Sequence, residues 1–161
     1  MITLNLGCGD DKRGEVRIDM NPERKGLNLI ADIHSIPLRT SVFDGVFCDS
    51  VLEHVMSPFK VLSEMARVSK KRIRVIVPNV HRLMRIKVTW LNPLREVNPN
   101  TKHLQNWDAI AFKLLVHQVG GLRVIGIYWD RFPGVLRRPS ILFGKDMIVD
   151  MRVQSPEVKQ T

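Results

Sequence analysis

Glycines and aspartates that follow apolar runs are the residues of this chain best suited to bind a cofactor. Gly7 and Gly9 follow the apolar run over residues 2–6, and Asp19 ends the next run, residues 16–19. A ligand can approach the backbone of a glycine closely, because no Cβ stands in the way. An aspartate at the end of a neighbouring strand can accept hydrogen bonds from ribose hydroxyls. These residues predict a cofactor that contains a nucleoside and lies across the tips of two parallel strands.

Two further aspartates extend this pattern. Asp32 follows the apolar run over residues 28–31, and Asp49 ends the run over residues 42–49. Ligands of open α/β sheets bind at the carboxyl ends of the strands, where these side chains would meet. The set therefore favours a binding function, although a single aspartate would also fit a solvent-exposed strand end or a turn.

The elements that must position these residues are short apolar runs ending in acidic or turn residues, as in a buried parallel sheet. The predicted strands cover residues 2–6, 16–19, 28–31, 42–49, 73–77, 122–129 and 145–153. Apolar residues at helical spacing predict helices over residues 58–68 and 107–119. Ser50 and Glu53 match a capping box, which would start a short helical turn. Residues 69–72, before the fifth strand, are predicted to form a solvent-exposed turn.

The link between the first two strands is unusually short. Only residues 10–15 separate them, whereas parallel neighbours normally need a crossover of about a dozen residues or more. Either the second strand lies elsewhere in the sheet, or the helix usually found between such strands is missing.

The length and the cysteine content limit the classes of protein to which this chain can belong. The 161 residues allow one domain with a sizeable core, and we expect neither a signal peptide nor a membrane span. Cys8 and Cys48 lie in apolar segments, so they predict two buried thiols, no disulfide framework and no metal site. We therefore expect a cytoplasmic protein.

The net charge of +9 is unevenly distributed along the chain. Residues 1–49 contain 6 Lys and Arg against 8 Asp and Glu, whereas residues 50–161 contain 19 against 8. The basic part favours an anionic partner, such as nucleic acid, a phosphorylated metabolite or a membrane surface. A basic surface that only keeps a small protein in solution explains the same distribution equally well.

Three segments resemble the class I S-adenosylmethionine-dependent methyltransferases: LNLGCGDDKRGEVRIDMNP, ADIHSIPLRTSVFDGVFCDSVLEHV and IRVIVPN. A fourth segment, KHLQNWDAIAFKLLVHQVGG, resembles the same family more weakly. The sequence is similar to the subgroup in which a short glycine-containing loop joins strands one and two, which accounts for the short link. The resemblance implies an α/β fold, a Rossmann-like three-layer sandwich around a mostly parallel seven-stranded sheet with strand seven antiparallel. It also implies S-adenosyl-L-methionine as the cofactor.

The resemblance also sets expectations for the domain and its assembly. The methyltransferase domain would cover residues 1–153, with residues 81–107 as a substrate cap and residues 154–161 as a polar tail. Strand one begins beside Met1, so we expect the N-terminal helix that often covers the cofactor to be lacking. The cofactor site would then be open, weak or closed by the second subunit of a homodimer.

Carried over by position, the resemblance assigns the strand tips to parts of the cofactor. Gly7 and Gly9 would pack against its methionine and ribose part, and Asp19 would accept hydrogen bonds from the ribose hydroxyls. Asp32 would accept from the adenine amino group, and the N–H of Ile33 would serve the ring. The cofactor-binding residues implied in this way are Asn5, Gly7, Cys8, Gly9, Asp19, Met20, Asp32, Ile33, Asp49 and Ser50.

Histidines are the candidate catalytic residues. The sulfonium of the cofactor is already activated, so a general base is needed only if the acceptor must lose a proton. We predict His54, near the tip of strand four, and His81, after strand five, for that role, and we name His103 as a weaker candidate. His54 would equally fit a helix-end histidine bonded to the backbone.

Absent motifs narrow the acceptor. The N-P-P-Y motif of many amino-group methyltransferases is missing after strand four, and no cysteine follows strand five to attack a pyrimidine ring. The predicted activity is methyl transfer to an unidentified acceptor, with RNA or a small metabolite as candidates. The alternative is a non-catalytic subunit that keeps the fold and binds S-adenosylmethionine or a partner. A nicotinamide dehydrogenase fits less well, because Lys12 stands where the third glycine of G-x-G-x-x-G belongs.

Overall fold

The computed structural model describes residues 1–79, 104–129 and 146–154. These residues contain seven strands and two helices. The strands are β1 Thr3–Leu6, β2 Val16–Asp19, β3 Leu29–Ile30, β4 Phe43–Asp49, β5 Ser69–Pro78, β6 Leu122–Trp129 and β7 Asp146–Val153. The helices are α1 Pro58–Val68 and α2 Ala109–Val119.

All seven strands form one sheet in the order β3-β2-β1-β4-β5-β7-β6. Strands β1 to β5 pair in parallel, and β7 runs antiparallel to both β5 and β6. The predicted α/β fold, with a mostly parallel seven-stranded sheet and an antiparallel strand seven, is confirmed. Strands β2 and β4 lie on opposite sides of β1, so the strand order reverses between β1 and β4. Such a switch point opens a crevice at the carboxyl ends of the strands, where ligands bind.

One face of the sheet forms the hydrophobic core. The register places two apolar rows across β1, β4, β5 and β7, namely Leu4, Val46, Ile73 and Met151, and then Leu6, Cys48, Val75 and Val149. Helix α1 packs on this face through Leu62 and Met65, and α2 packs beside it through Phe112 and Val116. Both helices cover the same face, so the described residues form two of the three predicted layers.

Both helices begin at a capping side chain. Ser57 Oγ accepts the N–H of Lys60 at the start of α1. Asp108 accepts two N–H groups in the first turn of α2, and Gly120, with a φ of +69°, ends that helix. Helix α2 therefore begins at Ala109, two residues later than the sequence pattern predicts.

Strand β5 is longer than predicted, and the turn predicted over residues 69–72 is wrong. An irregularity between Phe43 and Gly45 lets β4 pair first with Ser69 and then with Arg72. Ser69 Oγ also donates to Arg72 O at 3.0 Å. The basic residues of this stretch are exposed although they belong to a strand. Their composition therefore resembles that of a solvent-exposed turn.

The connections from β1 to β2, β2 to β3 and β3 to β4 contain no helix. Strand β2 pairs directly with β1, with Leu4 beside Val16 and Leu6 beside Ile18. Of the two explanations for the short link, the missing helix is therefore the correct one. The loop over residues 7–15 instead lies against Asn5, whose Nδ2 donates to the backbone oxygen of Arg13 at 3.2 Å.

Candidate active site

The carboxyl ends of β4, β1, β2 and β3 lie side by side in that order. Leu6 is in register with both Cys48 and Ile18, and Asp19 is in register with Ile30. The residues that follow these positions therefore meet at one edge of the sheet. The structure in this way gathers much of the set that the sequence singled out, namely Asp49, Gly7, Gly9, Asp19 and Asp32.

The two glycines at this edge differ in what surrounds them. Gly7 and Gly9 have φ angles of +63° and +52°, a conformation that glycine adopts at little cost. A Cβ at Gly7 would lie 2.6 Å from Val51 Cγ2, so the protein itself fills the space beside this residue. A Cβ at Gly9 would meet no atom of the described residues within 4 Å, apart from its neighbours along the chain, so this part of the structure leaves the space in front of Gly9 to a ligand.

The carboxylate of Asp19 is held by the backbone on both sides. Its Oδ2 accepts the N–H of Gly9 at 2.8 Å, and its Oδ1 accepts the N–H of Asn21 at 2.8 Å. Each oxygen keeps a further lone pair that can accept a ligand hydroxyl. Met20 follows with its side chain exposed, at 71% of its full surface, so it can contact a ligand only from outside the fold.

Asp32 stands at the end of the edge beyond β3. Its Oδ1 accepts the N–H of His34 at 2.9 Å and lies 2.7 Å from His34 Nδ1. These two hydrogen bonds, the backbone one first, lower the pKa of Asp32 and keep it ionised. Its side chain is 57% exposed, which leaves it accessible to a donor such as an amino group. Ile33 is buried in the core beside it.

Arg13 connects the β1–β2 loop to the tip of β4. Its Nη2 donates to Asp49 Oδ2 and lies near Asp11 Oδ2, each at 2.6 Å. Its guanidinium lies 5.1 Å from the centroid of the Phe47 ring, within the range of a cation–π contact. The hydrogen bond from Arg13 lowers the pKa of Asp11. The other oxygen of Asp49 accepts from Ser50 Oγ at 3.0 Å.

Sequence reasoning missed Arg13. Nothing in its residue type separates it from the other Lys and Arg of the chain, which number 25 with it. Its place in a loop too short for a helix is the one signal that could have singled it out, because such a loop needs a side chain to fasten it to the sheet.

Two predicted cofactor residues, Asn5 below the glycine loop and Cys8 within it, have buried side chains. Asn5 is almost completely buried and supports the loop through its hydrogen bond to Arg13 O. Cys8 is also buried, and burial is the main cause that raises the pKa of its thiol. The N–H of Cys8 donates to Ile18 O at 3.2 Å, so the backbone of this residue fixes the loop on β2.

The chain after β4 forms a turn, and the predicted capping box is wrong. Ser50 has a φ of +55° and donates its N–H to Ile76 O at 2.9 Å, which ties it to β5. The N–H of His54 donates to Val51 O at 2.9 Å. No helix begins in this described stretch before Pro58, because the positive φ at Ser50 sends the chain out of the helical direction.

Glu53, predicted as a cap, is instead a buried carboxyl group. Its side chain is 2% exposed, and neither of its oxygens has a hydrogen-bond partner among the residues that the structure describes. Its Oε1 lies 4.0 Å from Nε2 of His54. Burial is the main cause that raises the pKa of Glu53. The backbone oxygen of Glu53 accepts the N–H groups of Leu104 and Gln105 at 2.7 and 3.2 Å, which closes this side of the turn.

Several predictions fall on residues that the structure leaves undescribed. His81 and His103 lie outside the described residues, as does the predicted substrate cap up to residue 103. Of the predicted polar tail, only Gln154 is described. These assignments stay predictions.

A family model described as a methyltransferase domain matches residues 11–77. The match begins just after the glycines and runs to the end of β5. No curated protein sequence matches the chain significantly. No helix within the described ranges is long and apolar enough to cross a membrane.

Solved methyltransferase structures share the fold. A SAM-dependent methyltransferase from Thermotoga maritima matches with a TM-score of 0.70 and 12% identity, over 96% of this chain and 82% of that one. One from Archaeoglobus fulgidus matches with a TM-score of 0.66 and 17% identity, over 93% and 85%. The magnesium protoporphyrin IX methyltransferase of Synechocystis with bound SAH matches with a TM-score of 0.63 and 13% identity, over 96% of this chain and 74% of that one. The resemblance to class I S-adenosylmethionine-dependent methyltransferases is thereby confirmed.

The two glycines give a first prediction, on stability. Gly7→Ala and Gly9→Ala each place a Cβ on a backbone of positive φ, which costs about 1 kcal/mol. Only Gly7→Ala also drives a Cβ into Val51, which adds roughly 1–3 kcal/mol. Chemical denaturation should therefore find Gly7→Ala clearly less stable than Gly9→Ala. Equal stability of the two variants would contradict the packing difference.

Glu53 gives a second prediction, on pH. Because its pKa is higher in the folded state than in the unfolded one, stability falls as the pH rises above the unfolded value, about 4.3. Glu53→Gln should therefore raise the Tm relative to the parent at pH 8, with little change at pH 4. Glu15→Gln is the matched control, since hydrogen bonds from Thr3 lower the pKa of Glu15. That variant should lose stability relative to the parent at pH 8. A Glu53→Gln effect independent of pH would refute the assignment.

Proposed function

We propose that this chain is an S-adenosylmethionine-dependent methyltransferase whose cofactor lies across the carboxyl ends of β4, β1, β2 and β3. One observation carries the proposal: no described residue fills the space in front of Gly9, and the Gly9 N–H donates to the Asp19 carboxylate between the ends of β1 and β2, beside the point between β1 and β4 where the strand order reverses. The methyltransferase-domain match over residues 11–77 and the shared fold support the same class of enzyme.

The residues at this edge fit an adenosyl sulfonium. Asp19 offers free lone pairs on two fixed oxygens for the ribose hydroxyls, and Asp32 offers an exposed carboxylate for the adenine amino group. A Cβ at Gly9 would enter the free space, so a glycine there lets the cofactor reach the backbone. The acidic side chains along the edge also favour the positive charge of the sulfonium. In the Synechocystis enzyme the solved structures hold SAM or SAH, and we extend that cofactor to this chain.

Bound S-adenosylmethionine would supply an activated methyl group, so this chain must place the acceptor and exclude water. Asp49 and Ser50, at the tip of β4, border the methionine end in this proposal. Arg13 fixes Asp49 by its hydrogen bond, which keeps that border rigid. The loop and the strand tip then approach the cofactor as one unit.

His54 is the proposed base for an acceptor that must lose a proton. It lies in the turn after β4, with its side chain 42% exposed and its Nε2 4.0 Å from Glu53 Oε1. A carboxyl group beside one ring nitrogen can orient the imidazole, so Glu53 is proposed as a positioning residue. His81, outside the described residues, stays a candidate for the same role from the sequence alone. The acceptor stays open between a small metabolite and a nucleic acid.

A binding measurement tests the cofactor half of the proposal. Asp19→Ala removes the carboxylate proposed to hold the ribose, and we expect it to weaken S-adenosylhomocysteine binding about tenfold or more in calorimetry. Asp44→Ala is the matched control, because Asp44 also accepts a backbone N–H, that of Ile2 at 2.9 Å, at the opposite end of β4. Its affinity should stay within about twofold. Absence of binding by the parent protein would overturn the proposal.

A transfer measurement tests the acceptor half. The full chain is incubated with radiolabelled S-adenosylmethionine and fractionated cell extract, and the label is traced to RNA, protein, lipid or small molecules. His54→Gln should slow transfer into the labelled fraction by about 10²-fold, while S-adenosylhomocysteine affinity is kept. Binding without label in any fraction would instead support the non-catalytic alternative.

A further inference from the structure

The sheet face opposite α1 and α2, here called the open face, is uncovered over β4, β5 and β7 in the described part of the chain. Ile73, Val75 and Met151 point into the core, so their neighbours along each strand point to the open face. The side chains of Arg72, Arg74 and Arg152 are accordingly exposed. The β1–β2 loop covers only the part of this face above Asn5 and Phe47.

A groove of about 360 Å³ runs across the open face. Its floor includes Gly45, where a Cβ would find Thr3 Cγ2 at 3.6 Å, so the absence of a side chain there deepens the groove. Phe47 and Ile125 give it apolar walls. Ile125 is 47% exposed and lies where the register of β6 shifts between Val124 and Gly126. Irregularities of this kind redirect a side chain, and this one brings an isoleucine to the groove.

Three arginines, here called the arginine row, lie next to one another at one end of the open face. The register places Arg72 of β5 opposite Arg152 of β7, and Arg152 opposite Arg123 of β6. All three are exposed, and within the described ranges none of them has an ion pair. Like charges directly opposite each other on a sheet are destabilising. The row therefore gains most from an anionic group brought by another molecule.

The geometry points to a binding site for one amphipathic helix of an acidic partner protein. From β1 through β4 and β5 to β7 there are three strand spacings, about 14 Å in all. An α-helix with its side chains is about 10–12 Å wide, so one helix fits across this span. We propose that its apolar side chains enter the groove between Phe47 and Ile125, and that its Asp and Glu side chains face the arginine row.

The same contacts argue against two other occupants. A nucleic acid in the groove would stack its bases on an exposed aromatic ring, but the Phe47 ring that lines the groove already lies under Arg13. Its phosphates would also meet the carboxylate of Asp150, which lines the same groove. Asp150 also neutralises Arg74 by two hydrogen bonds of 2.6 and 2.7 Å. A second copy of the chain would bring its own net charge of +9 to a basic surface, which disfavours self-association.

The test uses the full chain and a labelled model helix. The probe is a fluorescein-labelled 16-residue peptide, of about four and a half helical turns, with leucines on one face and glutamates on the other. Its controls are a scrambled peptide of equal composition and a uridine 12-mer. We expect fluorescence anisotropy to show binding of the helix that is at least tenfold tighter than that of the scrambled peptide, and weaker at higher salt.

A charge-reversal pair locates the site. Arg72→Glu should weaken helix binding about tenfold or more. Arg39→Glu is the matched control. Arg39 is an exposed arginine in the β3–β4 connection, and it lies on the α1 side of the sheet because Arg67 of α1 donates a hydrogen bond to the neighbouring Leu38 O. This variant should bind within about twofold of the parent. Thermal denaturation of both variants confirms that each is folded.

Other outcomes overturn the proposal. Equal losses in Arg72→Glu and Arg39→Glu would mean attraction by overall charge rather than by this face. Tighter binding of the uridine 12-mer than of the helix would assign the face to nucleic acid. A dimer in light scattering that Arg72→Glu dissociates would assign it to a second copy. No binding of the helix at low salt would leave the face without the proposed partner class.

Discussion

The hydrogen bond from Gly9 N–H to the Asp19 carboxylate is the contact on which the proposed site depends. It joins the loop after β1 to the end of β2, and Asn21 N–H holds the same carboxylate from its other oxygen. A carboxylate fixed in this way needs no reordering before it accepts a ligand hydroxyl. The hydrogen bond can form only because β2 is the direct neighbour of β1, so the proposed recognition of a ribose depends on the strand order.

The short β1–β2 loop is held against the sheet by polar side chains, which replace the packing that a helix would give. Asn5 supports the loop from below through Arg13 O, and the Arg13 guanidinium reaches over Phe47 to Asp49. These contacts join β1, the loop and the tip of β4 at the switch point of the sheet. Among residues 1–79, 104–129 and 146–154 they also leave the rest of this sheet face uncovered, since a side chain covers far less area than a helix.

The strand tips could be predicted from the sequence because each tip is a local event, an apolar run that stops at a polar residue. Asp19 and Asp49 were found in this way. The arginine row could not be found, because it depends on the register between β5, β7 and β6, which are far apart along the chain. The capping box predicted for Glu53 is wrong for a different reason. Its spacing from Ser50 suits a helix start, but the positive φ at Ser50 prevents a helix from beginning there.

The uneven charge along the chain corresponds to two different surfaces of the folded sheet. The acidic first part supplies Asp19, Asp32 and Asp49 to the carboxyl edge of the sheet, and the basic second part supplies the arginine row to the open face. The acidic edge would attract a cationic sulfonium, and the arginine row would attract an anionic partner. The acidic edge and the groove of the open face share β4, because Asp49 is the last residue of this strand and Gly45 lies at the bottom of the groove. A partner helix in that groove would lie against the strand that carries the methionine end of the proposed cofactor site, so binding at one surface has a direct route to the other.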